Sequence, residues 1–365
     1  MRPEIKTTRT MPALTVPRFK FEDGTVLENV SVRYDTWGEL NSRRDNAAVV
    51  CHTLTGNTDV SDWWEPMLGP GRTLDPERYF IVCAAIIGSP YGDLSPLTTD
   101  PATGKRYGSR FPDVTVRDSV RLHRILLEQL GVERIAFAIG SSLGAMQVLE
   151  WSFYGDFVCG LVPIAVGGRH SAWSIGWSES QRHCIYADPK WKGGDYDLAD
   201  PPASGLAAAR MVAMLSYRSA HSYQERFGRS TTQSDDSVFE MESYLRYQGK
   251  KLVDRFDASC YVSMTKQMNR HDVSRGRGEY EDVLREIKQP ALVVGITSDI
   301  LYPLAEQREL AEYLPNAVLE IIDSPHGHDS FLIELEELNR RVLKWRKEVL
   351  SEEFCNREAL RWDAA

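Results

Sequence analysis

Three residues far apart in the chain, Ser142, Asp299 and His328, are the types needed for acyl transfer through a serine. A serine hydroxyl is a weak nucleophile until a neighbouring base takes its proton. Histidine is the base whose pKa lies nearest neutrality. A buried carboxylate fixes the imidazole tautomer and stabilises the imidazolium. Ser142 sits at the centre of Gly140-Ser141-Ser142-Leu143-Gly144, directly after the apolar run Ile135-Ala136-Phe137-Ala138-Ile139. This is the sequence form of a strand that turns sharply into a helix and pushes a serine hydroxyl into the open. Gly-x-Ser-x-Gly also arises by chance. The competing reading makes Ser142 a helix cap, and Ser141 is a rival next door, but the glycine spacing centres on Ser142. The tetrahedral oxyanion needs two preplaced donors, and the candidates are the backbone amides of Leu143 and Leu54.

The elements that must hold these residues alternate. Runs 19–21 and 30–34, around Glu22-Asp23-Gly24, predict an antiparallel edge pair. Buried strands follow at 47–52 and 79–86, at the run before Ser142, and at 158–166. The spacing predicts a helix over 114–130, stopped by Gly131, and another over 143–154. Trp63-Trp64 to Gly71 reads as a loop, as does the Gly/Pro/Ser/Thr-rich stretch 88–112. Strand–helix alternation with continuous apolar strands implies a mostly parallel sheet covered on both faces. It stops at 167 and resumes at 289, and the intervening segment is patterned as helices (205–217 and 237–256) around a polar loop at 185–204. The expected domains are therefore a core over 1–166, a helical lid over 167–288, the rest of the core over 289–351, and a peripheral tail over 352–365. Strand 291–296 ends in Thr297-Ser298-Asp299, and strand 317–322 runs into Ser324-Pro325-His326-Gly327-His328-Asp329 before a last helix over 331–351. The chain order Ser, acid, His after three successive strand ends is that of the α/β-hydrolase fold. Asp299 as a plain helix cap, Asp323 as the acid and His326 as the base are the alternatives. His52 reads as a core or turn histidine, and His123, His170, His183, His221 and His271 as surface or structural.

Composition narrows the partners. The 365 residues carry 43 basic and 52 acidic side chains, a net charge of −9, which argues against nucleic acid. No apolar run is long enough to span a bilayer, so no membrane partner is expected. Met1-Arg2-Pro3-Glu4-Ile5-Lys6 lacks the apolar centre of a secretory signal. The six cysteines are scattered, with no Cys-x-x-Cys pair, so a metal site is not expected and a reducing, cytoplasmic setting is.

Several stretches resemble the homoserine O-acetyltransferase family of acyl-CoA-dependent transferases: Cys51-His52-Thr53-Leu54-Thr55-Gly56, Met146-Gln147-Val148-Leu149-Glu150-Trp151, Arg169-His170-Ser171-Ala172-Trp173, Ser216-Tyr217-Arg218-Ser219 and Gly327-His328-Asp329-Ser330-Phe331-Leu332. They are spread over roughly residues 16–335. The resemblance implies that acetyl-CoA, as co-substrate and not a bound cofactor, acylates Ser142, and that a small hydroxylated amino acid takes the acyl group. Homoserine leads, with L-serine or another hydroxylated acceptor as alternatives, and a serine hydrolase or esterase as the rival class. It further implies that Arg210, with Arg218 and Tyr217 nearby, and Asp329 hold the acceptor, that the 167–288 segment is a lid, and that the protein is a homodimer. The segments around Asn57-Thr58-Asp59 and Gly88-Ser89-Pro90-Tyr91-Gly92 look closer to a fungal branch of the family. The family commonly has Gly-Gly-Ser-Met-Gly-Gly-Met where this chain has Gly140-Ser141-Ser142-Leu143-Gly144-Ala145-Met146, so Ser141, Leu143 and Ala145 are departures at the elbow.

Overall fold

The computed structural model describes residues 13–350; the tail at 352–365, the first six residues and Cys355 lie outside it. The predicted edge pair forms as β1 (Ala13–Lys20) and β2 (Val26–Trp37), antiparallel in register from Ala13 opposite Arg33 to Lys20 opposite Val26. β3 (Ala47–Cys51) is buried at every position. Trp63 and Trp64 are not in a loop: α1 (Ser61–Trp64) is a helical turn, because the fully buried Trp64 ring is drawn inward and its indole N–H donates to the Phe331 carbonyl at 3.1 Å. β4 (Phe80–Ala84) and α2 (Val116–Gln129) follow, the helix opened by a capping box between Thr115 and Asp118. Then come β5 (Ile135–Ser141) and α3 (Leu143–Trp151). α3 stops three residues short of the predicted end and continues as a 3-10 turn to Phe157, broken by the positive φ of Gly155.

β6 (Leu161–Ile164) is shorter than its apolar run. The 167–288 segment adds α4 (Ala172–Tyr186), α5 (Ala203–Tyr217) and α6 (Ala220–Phe227), then a small hairpin of β7 (Thr231–Thr232) and β8 (Asp235–Phe239). The predicted helix over 237–256 starts late for that reason. β8 carries residues 235–239 in extended conformation, opened by Asp235 accepting from the backbone N–H and hydroxyl of Ser237, and α7 (Glu240–Val253) begins only after it. α8 (Ala258–Asn269) and α9 (Tyr280–Glu286) complete the segment. Its two ends are laced together: His170 N–H donates to the His271 carbonyl at 2.9 Å and Val273 N–H to the Gly168 carbonyl at 3.0 Å.

β9 (Ala291–Ile296), α10 (Leu304–Tyr313) and β10 (Ala317–Ile322) finish the sheet. The last helix is two pieces, α11 (Ser330–Ile333) and α12 (Leu335–Val349), broken at Glu334, whose carboxylate turns back to accept from the Ser324 hydroxyl. Among the described residues the main sheet has eight strands in the order β1-β2-β4-β3-β5-β6-β9-β10, parallel from β4 onward. Its two faces divide the buried strand residues by alternation. Ala47, Val49 and Cys51 join the core under α2 and α3; Ala48 and Val50 join the core under α1 and α12. This is the predicted α/β-hydrolase fold, with Ser142, Asp299 and His328 all following carboxyl ends of parallel strands.

The tightest packing lies where α3 crosses the exit of β3. A Cβ built on Gly144 would stand 2.0 Å from the Cys51 carbonyl oxygen, and one on Gly140 would stand 2.7 Å from the Gly144 carbonyl carbon. Both obstacles are backbone and cannot swing away. Gly144→Ala is therefore expected to cost about 1–3 kcal/mol or more by overpacking. Gly176→Ala, on an exposed part of α4 with open space around its Cα, is expected to gain about 0.5–1 kcal/mol. Denaturant midpoints of the two variants against the parent check both signs.

Candidate active site

Ser142 is the single residue between β5 and α3, and its backbone (φ 54°, ψ −124°) lies in a region non-glycine residues rarely adopt. Such strain costs on the order of 1–3 kcal/mol and persists only where its surroundings enforce it. Here Ser142 N–H donates to the Ile164 carbonyl at 3.0 Å and the Ser142 carbonyl accepts from Met146 N–H at 3.1 Å. The residue is 6% exposed. Leu143 is the first residue of α3, so its N–H has no partner within the helix. Leu54 lies in the turn after β3, where Gly56 N–H donates to the Thr53 carbonyl. That turn is held by His52, whose Nδ1 bonds to the Thr53 carbonyl at 2.8 Å while its Nε2 accepts from Ile86 N–H at 3.0 Å. Burial lowers the His52 pKa to about 4, so the ring is neutral and structural, in line with the sequence reading. Gln147 donates to the His52 carbonyl and fastens the same turn to α3.

Asp299 and His328 form a buried pair at 2.6 Å between Oδ2 and Nδ1. The other carboxylate oxygen, Oδ1, accepts from the backbone N–H groups of Leu301 and Tyr302 at 2.8 and 2.9 Å. Asp299 caps no helix, since α10 begins at Leu304 after Pro303; one of its oxygens holds the loop that follows β9 and the other partners the imidazole. Ser298 ties the two loops, donating to the Ser324 carbonyl and accepting from Gly327 N–H. The rivals are placed elsewhere: His326 faces Ser222 at 3.3 Å, and the exposed Asp323 accepts from Thr297. The imidazole of His328 is packed among Phe331, Tyr302 and Tyr217, at ring-centre distances of 5.1, 5.3 and 5.8 Å. Its Nε2 is buried and has no hydrogen-bond partner among the described residues.

Asp329 follows His328 at once. Burial raises its pKa, and the charges of Arg210, His328 and Arg218 act in the opposite direction. Arg210 stacks over Tyr217 at 5.3 Å, so the structure brings Arg210, Arg218, Tyr217 and Asp329 to one place beside the imidazole. The two arginines do not share a helix. α5 ends at Tyr217, and Arg218 is the extended residue beyond it.

Three residues packed near Asp299 and His328 carry no functional signal in the sequence. Tyr302 packs on His328 and bonds to His170, and both read as ordinary core or surface positions in a linear pattern. Glu306, in the first turn of α10, is half-buried with Oε2 unpartnered, and burial is the first cause that raises its pKa to about 7. No periodicity marks any of them, because their meaning comes from neighbours distant in sequence.

Fold and site together define a serine-nucleophile protein of the α/β-hydrolase class, and residues 47–335 match the family model for the alpha/beta hydrolase fold. The chain is 58% identical over 344 residues to "Homoserine O-acetyltransferase" of Salinibacter ruber, covering 93% of this chain and 98% of that one. It is 53% identical to the proteins of the same name from Chlorobium chlorochromatii (89% of this chain, 91% of that one) and Nostoc punctiforme (90% and 93%). The chain belongs to the homoserine O-acetyltransferase family. These relatives are bacterial, so the likeness of the Asn57 and Gly88 segments to a fungal branch is not where the overall similarity lies. Among solved structures, the homoserine O-acetyltransferase from Bacillus anthracis superposes with a TM-score of 0.85 at 22% identity, over 91% of this chain and 96% of that one. Esterase E22 superposes with a TM-score of 0.84 at 23% identity, over 92% and 98%, a likeness of fold alone.

Two outcomes follow from this geometry. Asp299→Asn keeps an acceptor for Leu301 and Tyr302 but puts an amide against Nδ1, so kcat is expected to fall by about 10⁴ through the wrong tautomer, at an unchanged melting temperature. For Glu306 the folded pKa is raised, so the neutral acid favours folding at low pH and that contribution is lost as pH rises through about 7. Glu306→Gln is expected to be more stable than the parent at about pH 8 and equal to it at about pH 4, as read from denaturant midpoints at the two pH values.

Proposed function

We propose that the chain transfers an acetyl group from acetyl-CoA to the hydroxyl of L-homoserine through an acetyl-Ser142 intermediate. The observation that carries the reading is Asp329, directly after the base His328 and within the fields of Arg210 and Arg218. A guanidinium suits a carboxylate and a carboxylate suits an ammonium, so this group would hold a free amino acid beside the nucleophile. Water as acceptor needs no such clamp.

In the first half-reaction His328 Nε2 takes the Ser142 proton and Oγ attacks the thioester carbonyl. The amides of Leu143 and Leu54 receive the oxyanion, which collapses to the acetyl-serine as the CoA sulfur leaves with the proton from His328. In the second, the homoserine hydroxyl gives its proton to His328 and attacks the acetyl-serine. Ser142 then leaves and recovers the proton. Asp299 Oδ2, 2.6 Å from Nδ1, stabilises the imidazolium in both halves. Arg210, Arg218, Tyr217 and Asp329 orient the acceptor, and the 167–288 segment acts as the lid that excludes water.

Exposed apolar side chains on the inserted helices, Trp173, Leu215 and Tyr247, support a homodimer formed through that segment. The described cysteines form no disulfide, in keeping with a reducing, cytoplasmic setting. No helix among the described residues is long and apolar enough to cross a membrane.

CoA release from acetyl-CoA is expected to be fast with L-homoserine, slow with L-serine or water, and lost in Ser142→Ala. Arg210→Lys is expected to raise KM for homoserine at least tenfold, with a smaller change in KM for acetyl-CoA, by loss of bidentate pairing. Equal release with and without amino acid would make the protein a hydrolase and remove the clamp from the argument.

A further inference from the structure

Asp299 Oδ1 is held by two consecutive peptide units. The unit between Ile300 and Leu301 supplies the Leu301 N–H at 2.8 Å, and the unit between Leu301 and Tyr302 supplies the Tyr302 N–H at 2.9 Å. The described residues contain no cis peptide bond, so in each unit the carbonyl points away from the N–H. Both carbonyls meet the first turn of α4, in the 167–288 segment, and each finds a donor there. The Trp173 indole N–H donates to the Ile300 carbonyl at 2.5 Å, and the Ser174 hydroxyl donates to the Leu301 carbonyl at 2.9 Å. Each peptide unit therefore stands between one side chain of α4 and the carboxylate of Asp299. The next residue adds a third tie, since the Tyr302 hydroxyl bonds to Nδ1 of His170 at 3.1 Å.

Ser174 is itself fixed at the start of its helix. Its N–H donates at 3.3 Å to the hydroxyl of Ser171, the cap of α4. A hydroxyl has one proton and a carbonyl can only accept, so the Ser174 proton goes to Leu301. The Ser174 oxygen is left to accept from the Ser171 hydroxyl at 3.2 Å. Ser174 and Leu301 are both buried, so loss of this donor would leave the carbonyl unpaired. Donation to a carbonyl also polarises its peptide unit and makes the N–H on the far side a stronger donor. Trp173 and Ser174 thus act on Asp299 at one remove, in position and in hydrogen-bond strength.

We propose that Ser174, assisted by Trp173, is a positioning residue for the triad carboxylate: through the Leu301 and Ile300 carbonyls the two side chains fix the N–H groups that hold Asp299 Oδ1, and so aim Oδ2 at Nδ1 of His328. This rests on Ser142, Asp299 and His328 acting as a triad. Asp299 lies on the core after β9, yet it is correctly set only with α4 docked against its loop. The effect falls on the chemical step, because both residues act through Asp299.

The test is acylation of Ser142 by p-nitrophenyl acetate, followed by stopped flow as the burst of p-nitrophenol at saturating ester. This probe needs the triad and no particular acceptor. Ser174→Ala removes the hydroxyl and is expected to slow the burst about 5- to 150-fold, the cost of leaving one buried carbonyl unpaired in the working loop geometry. Trp173→Phe keeps an apolar ring at an exposed position, removes the N–H, and is expected to slow the burst about 2- to 5-fold. The ester concentration for half-saturation should not change in either. Both losses should vanish in an Asp299→Asn background, where no carboxylate is left to aim. A merely structural role predicts the same losses in that background, so additive losses overturn the proposal. An unchanged burst in folded Ser174→Ala overturns it too, as does an unchanged burst in folded Trp173→Phe should Ser174→Ala fail to fold. A burst as fast in Asp299→Asn as in the parent would instead remove the triad itself, and this proposal with it.

Discussion

The structure depends on one close approach, the first turn of α3 against the backbone that leaves β3. Gly140 and Gly144 make it possible, since any Cβ there would overlap carbonyl groups. The approach does three things at once. It forces Ser142 into its strained backbone conformation. It leaves the N–H of Leu143 at an open helix start, where the helix dipole favours negative charge. It also brings the turn bearing Leu54 alongside, fastened through His52 and Gln147. Ser142 and the backbone amides of Leu143 and Leu54 are thus placed by backbone packing rather than by side chains.

The second support is electrical. A lone carboxylate as buried as Asp299 would be costly to ionise. Two backbone N–H groups on one oxygen and the imidazole on the other remove that difficulty. Three aromatic rings then exclude water from the imidazole without competing for its protons. Asp329, one residue on, is pulled two ways, raised by burial and lowered by the charges of Arg210, His328 and Arg218.

The 167–288 segment contributes residues beside His328. α5 and the residue after it bring Tyr217, Arg210 and Arg218 to Asp329, and Gly327 packs so close to the Arg218 backbone that a Cβ there would stand 2.8 Å away. The histidine loop and the insert are therefore fitted to one another backbone to backbone. The base of the insert carries His170, whose Nδ1 bonds to the hydroxyl of Tyr302, the ring packed on His328.

Local sequence determined the parts of this protein that depend on period, on glycine and on chain order. Continuous apolar runs marked β3, β5, β6 and β9 because strands covered on both faces have no polar positions. The glycine spacing singled out Ser142 over Ser141, and the strand order separated Asp299 from Asp323. Tertiary structure decided the rest. Trp64 is helical and Glu334 breaks the last helix because each answers to a partner across the fold, Phe331 in one case and Ser324 in the other. His328 prevailed over His326 through a distance to Asp299 that no spacing encodes. Tyr302, His170 and Glu306 carry no local signal at all. Their protonation states and hydrogen-bond partners are set by burial and by residues up to 132 positions away, and such many-body effects exist only once the chain has packed.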